Sequence, residues 1–283
     1  MSRILDVPVS GGPYALTAGP DGAMWVTLVH SGEIARVAAD GGLEVYPVAP
    51  QSKPSIIVAG PDGALWFTRN GDDRIGRITT DGDLSEFELP KGSAPFGLTA
   101  GPDEALWFTA MTSGVVGRIG VDGVVTEVAF PGGTPSMITA GPDGALWFTL
   151  NQANGVGRLE PSGDLTIRDV PTPRAGPVGI AATHDDAVWF TEILADKLGR
   201  IPVDDAIQEL DLPGKPHAVV ADPTGGVWVS LWGSDQIARV SADGEVSSID
   251  LPAGSEPHGL AIGPDGALWV ALEAGYVMRL PTV

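Results

Sequence analysis

The chain has 283 residues, a formal net charge of −20 and no cysteine. Its acidity repels a phosphate backbone and no basic stripe relieves it, which argues against nucleic-acid binding. The missing thiols exclude disulfides, cysteine nucleophiles and thiolate zinc sites. No apolar run approaches the roughly 18 residues needed to cross a bilayer. The opening MSRILDVPVSGGPYAL also lacks the apolar stretch of a signal peptide, so a protein without membrane association, located in the cytoplasm, is expected.

The first element is a short strand in RILDVPV, residues 3–9. After it a single unit recurs. Its signature, GPDGALWFT and variants, places Trp at 25, 66, 107, 147, 189, 228 and 269, in steps of 41, 41, 40, 42, 39 and 41 residues. An Arg in IARV, IGRI or a variant follows each Trp, 11 residues on in six units and 10 in the last. Such periodicity marks a repeat architecture. Each unit reads as four strands: a Pro-x-x-Leu strand, the Ala-Leu-Trp-Phe strand, the Ile-Gly-Arg-Ile strand, and a strand such as LSEFELP. Alternating apolar residues and Gly/Pro/Asp turns bound them.

Four strands in about 40 residues, repeated radially, predict an all-β, seven-bladed propeller. With no linker between units, residues 1–283 read as a single domain. The last unit stops at YVMRLPTV without a fourth strand, and RILDVPV resembles fourth strands such as VSSIDLP. The N-terminal strand is therefore expected to complete the last blade and close the ring. A closed ring needs no partner to remove its edges, and a monomer is expected. The repeated Trp read as packing residues and the repeated Asp of GPDG as a turn former.

Function is to be sought where the repeats disagree. The residue after the Pro that opens the first strand is Tyr14, Ser55, Phe96, Ser136, Val178, His217 and His258 in turn. The residue four after the Trp is Val29, Asn70, Met111, Asn151, Ile193, Trp232 and Glu273. Counting outward from the turn at Asp265 and Gly266 sets His258 opposite Glu273; the same count sets His217 opposite Trp232. Glu256, two residues before His258, can share its face. Because first strands line the channel of a propeller, these residues should share one rim, with Tyr14 joining from the ring neighbour. His30 and His184 read as surface residues.

Two carboxylates at a rim suit Mg²⁺, which takes one or two carboxylates and keeps several waters. An imidazole beside them can accept a proton near neutral pH. Base and Lewis acid together fit either proton abstraction next to a carbonyl or activation of water. The residues leave that choice open, and leave room for a metal-dependent lactonase or esterase, or for a non-catalytic peptide-binding propeller.

The seven GPDGALWFT-type repeats, KPH at 215–217, Trp232, EPH at 256–258 and LE at 272–273 resemble the virginiamycin B lyase, or streptogramin B lyase, family over the full chain. The resemblance implies a Mg²⁺-dependent carbon–oxygen lyase that linearises a small cyclic depsipeptide antibiotic at its ester, by elimination rather than hydrolysis. It implies Glu256 and Glu273 as magnesium ligands and His258 as general base. It implies His217, Tyr14 and Trp232 as substrate-binding residues.

Overall fold

The computed structural model of the protein describes residues 5–129, 133–202 and 206–280. Among them are twenty-eight strands, β1–β28 in chain order, and no helix. They form seven four-stranded antiparallel sheets. Blade one runs β2 (Pro13–Ala18), β3 (Met24–Leu28), β4 (Glu33–Val37) and β5 (Leu43–Pro47), and five further blades follow in the same order. Blade six contains β22 (Pro216–Ala221) and β23 (Val227–Leu231). Blade seven is β26 (Pro257–Ile262), β27 (Leu268–Leu272) and β28 (Tyr276–Leu280), finished by β1 (Leu5–Pro8). Leu5 pairs with Arg279 and Pro8 with Tyr276, so the two ends of the chain close the ring as expected. Residues 3 and 4 of the expected strand lie outside the described residues.

The repeats are legible as packing. The seven Trp of the repeats are all buried; each removes roughly 200 Å² from water, about 5 kcal/mol at ~25 cal/mol per Å² before the entropy of ordering is subtracted. The turn Asp does more than shape the turn. Asp21 Oδ1 accepts from Trp25 Nε1 (3.1 Å) and Oδ2 from Arg36 Nε (2.6 Å). The same Trp–Asp–Arg bridge recurs through Asp62, Asp103 and Asp143. That bridge explains why Trp and Arg keep an almost fixed separation.

A second repeated device joins the blades. The Thr two residues after the Trp accepts from a first-strand N–H of its own blade and donates to a first-strand carbonyl of the next. Thr27 Oγ1 accepts from Ala15 N (3.0 Å) and donates to Ser55 O (2.8 Å). Thr191 Oγ1 likewise joins Gly179 N (2.8 Å) to His217 O (2.7 Å). In blade six Ser230 makes only the bond inside its own blade, and blade seven carries Ala271 there, with no hydroxyl. The blades flanking the ring closure are thus joined without this bridge.

Candidate active site

First strands line the central channel, and its walls include Tyr14–Thr17, Ile56–Val58, His217–Val220 and Gly259–Ala261. At one mouth the exceptional residues of blades six, seven and one meet. The His258 ring is the hub: its centroid lies 4.7 Å from that of Tyr14, 4.7 Å from His217 and 6.4 Å from Trp232. Tyr14 also meets His217 edge-on at 6.1 Å. Gly259 permits this closeness, since a Cβ there would lie 2.7 Å from the Tyr14 carbonyl oxygen on the neighbouring blade.

The expected register needs correction. Ile262 pairs with Leu268, and Gly263 N donates to Ala267 O. The turn is therefore a three-residue loop with Gly266 at φ 75°, a standard hairpin loop ending in a left-handed residue. A bulge between Pro257 and Leu260 shifts the register once more, leaving Pro257 opposite Leu272. Glu256, not His258, thus faces Glu273, whose N–H donates to Glu256 O (3.1 Å). In blade six the same loop and bulge set Lys215, not His217, opposite Trp232. The bulge re-aims His258 and His217, and both still reach the site.

His258 is buried and its Nε2 abuts Glu273 Oε2 without hydrogen-bond alignment, and neither ring nitrogen has a hydrogen-bond partner. Burial pushes its pKa below the ordinary value, against the pull of Glu273 and Glu256. His217, whose Nδ1 is also buried and unpartnered, is pushed down to about 3 by burial and by the neighbouring His258. Both rings are therefore neutral near pH 7. Burial, aided by Glu273, raises the Tyr14 hydroxyl, which stays protonated. Lys215 Nζ lies 5.3 Å from the Trp232 ring centroid, a cation–π contact at the rim.

Glu256 is exposed, and its carboxylate makes no hydrogen bond or ion pair among the described residues. Its backbone adopts φ 51° and its N–H is held by Asp235 Oδ1 (2.9 Å). No group of three or more His, Asp or Glu side chains is gathered around a common metal position among the described residues. The two carboxylates on opposed residues of one hairpin are nevertheless a hard-oxygen pair of the kind that a largely hydrated Mg²⁺ accepts.

One functional neighbour escapes the sequence reading. His30 is exposed as expected, but its Nε2 lies 2.7 Å from Glu273 Oε1 across the closing seam. The available signal is that His30 is an exception among its sister positions. His184 is exposed and takes no part in the site.

Fold and cluster define a seven-bladed propeller with imidazoles and carboxylates gathered at one mouth of its channel. The sequence profile of the virginiamycin B lyase family matches residues 3–280. A relative named virginiamycin B lyase from Mycolicibacterium smegmatis is 78% identical over 99% of this chain and 100% of its own. A streptogramin B lyase structure has 34% identity and a TM-score of 0.94, covering 99% of this chain and 98% of the other. The crystal structure of a catalytically inactive histidine-to-alanine virginiamycin B lyase from Staphylococcus aureus with quinupristin has 35% identity and a TM-score of 0.93, over 99% of both chains. This chain belongs to the virginiamycin B lyase family and is an enzyme of the lyase class.

Proposed function

We propose that the protein inactivates type B streptogramins, opening the cyclic depsipeptide at its ester by elimination, with His258 as general base. The observation that carries this reading is the His258 ring itself. It is neutral, it is set among Tyr14, His217 and Trp232, and it keeps an unpartnered Nδ1 while Nε2 faces a carboxylate. We assign the ring proton to Nε2, the nitrogen beside the Glu273 carboxylate, which leaves the Nδ1 lone pair to accept the substrate proton.

The proton removed is the α-hydrogen of the threonyl residue whose side-chain oxygen is esterified. Its bonding pair becomes the Cα–Cβ double bond, and the Cβ–O pair departs with the carboxylate. A linear peptide ending in that carboxylate and containing dehydrobutyrine results. His217, neutral and beside the base, and the Tyr14 and Trp232 rings hold the peptide over the mouth. Glu256 and Glu273 are the residues that would hold Mg²⁺, and the ion supplies Lewis acidity toward the carbonyl next to the α-carbon. The enzyme is read as a cytoplasmic monomer.

Mass spectrometry of a type B streptogramin incubated with protein and Mg²⁺ in ¹⁸O water tests the reaction. Elimination gives a ring-opened product with the mass of the substrate, no ¹⁸O, and turnover that stops on chelation. A product heavier by one labelled water would make the protein a hydrolase. An unchanged ligand would make it a binder.

A further inference from the structure

His30 lies five residues after Trp25, where the sister blades carry Gly71, Thr112, Gln152, Leu194, Gly233 and Ala274. Its imidazole reaches from blade one to blade seven, joining residues 243 apart in sequence at 2.7 Å. Room for the ring is made by Gly12, where a Cβ would lie 2.2 Å from His30 Cδ2. Gly12 occupies the slot that holds Lys53, Lys215 and Glu256 in other blades, and like them it has a positive φ.

The same exchange of bulk recurs at other hairpin mouths. A Cβ on Gly71 would meet the Lys53 side chain, one on Gly233 would meet Lys215, and one on Gly176 would meet Leu194. In each of these pairs one member is large and the other is glycine. In blade one the large member is the imidazole, and its neighbour across the seam is a carboxylate of the site. Glu273 is thereby held at both oxygens, Oε1 by His30 and Oε2 against His258.

We propose that His30 is a positioning residue, which fixes the Glu273 carboxylate from the adjacent blade so that Oε2 faces His258 Nε2. His30 thus helps to determine that Nδ1 is the nitrogen His258 presents to substrate. The inference rests on the reading of His258 as the base. His30 does not touch the reacting atoms; it acts through Glu273. An exposed pair of this kind contributes little to global stability, so its effect belongs to geometry. Misplacement of a catalytic group by a fraction of an ångström costs about tenfold in turnover, given that ~1 Å costs about a hundredfold.

The test uses His30→Ala, His30→Phe and His30→Gln, the last keeping an N–H donor on a side chain of similar reach. With a type B streptogramin and saturating Mg²⁺, kcat is expected to fall about tenfold in the Ala and Phe variants. KM and melting temperature should stay unchanged, and Gln should restore most of the loss. In metal-free protein at one fixed pH, the ¹⁵N ring shifts of His258 should move toward a mixture of tautomers in His30→Ala and remain in place in His30→Gln. Wild-type kcat in His30→Ala together with unmoved His258 nitrogens overturns the proposal. A rise confined to KM also overturns it, because His30 would then be a substrate contact. If the wild-type protein leaves the streptogramin intact, the proposed reaction fails, and the shifts of the metal-free variants still decide the positioning role.

Discussion

His258 and His217 lie side by side with pKa values lowered by the same burial, yet their surroundings assign them different work. His258 faces Glu273, whereas among the described residues no carboxylate pairs with His217. His258→Ala is therefore expected to lower kcat by roughly 10²–10⁴-fold, the usual worth of a positioned acid–base group, with substrate affinity little changed. His217→Ala should weaken substrate affinity as well as turnover. Turnover and binding measured separately check this; severe kcat loss confined to His217→Ala would exchange the two roles. Glu192, in blade five, is the counter-example, a perturbed carboxyl to which the proposed reaction assigns no role. It is fully buried, neither oxygen has a hydrogen-bond partner, and burial with nearby Glu209 pushes its pKa up to about 7 from 4.5. Between those values the folded chain binds the proton and the unfolded chain does not. The stability gained is full below about pH 4.5 and is lost as pH rises through about 7. Other blades place Leu28, Leu150, Leu231 and Leu272 at this position. Glu192→Leu should accordingly raise stability at pH 8 by on the order of 1–3 kcal/mol, with a smaller gain at low pH. Urea unfolding at both ends of that range measures it, and a gain independent of pH would refute the assignment.

At the scale of the hairpin, the bulge carries much of the function. It turns His258 and His217 out of simple alternation, and in blade five the Thr191 hydroxyl clamps the bulge of blade six through the His217 carbonyl. Thr191→Val would leave that carbonyl and Gly179 N–H without their partner, at a cost of about 1–3 kcal/mol. The expected result is a lower melting temperature with weakened substrate binding. Ser230→Ala, which removes a single bond inside its blade, should cost less. Equal losses in the two variants would show that the link between blades contributes nothing. This is also where reading the sequence stops. The strands, the Trp–Arg spacing and the convergence of Tyr14, His217, Trp232, Glu256, His258 and Glu273 on one end are all visible in the repeats. Register is not, because GPDG accommodates loops of two or three residues and the bulge leaves no distinctive residue in Pro-x-x-Leu. Two one-residue errors therefore accumulated between Asp265 and His258. His30 was missed for a related reason: its importance depends on the absence of a side chain at Gly12, which becomes meaningful only once the two positions are known to touch.

Over the whole molecule, closure was readable because a missing fourth strand at one end of the chain matched a spare strand at the other. The pairing of Leu5 with Arg279 fulfils that reading. The gathering of the exceptional residues at one mouth was readable too, but its dependence on the seam was not, since the hydroxyl bridges between blades and their loss at Ser230 and Ala271 are properties of assembled neighbours. The seam has a consequence for the life of the chain before it is finished. Tyr14 and His30 leave the ribosome long before Glu256, His258 and Glu273. The pocket therefore comes into being only when blade seven docks beside blade one, and a chain stopped before Glu256, however well its early blades fold, carries half a site. Turnover thus doubles as a certificate that the seventh blade has docked on the first.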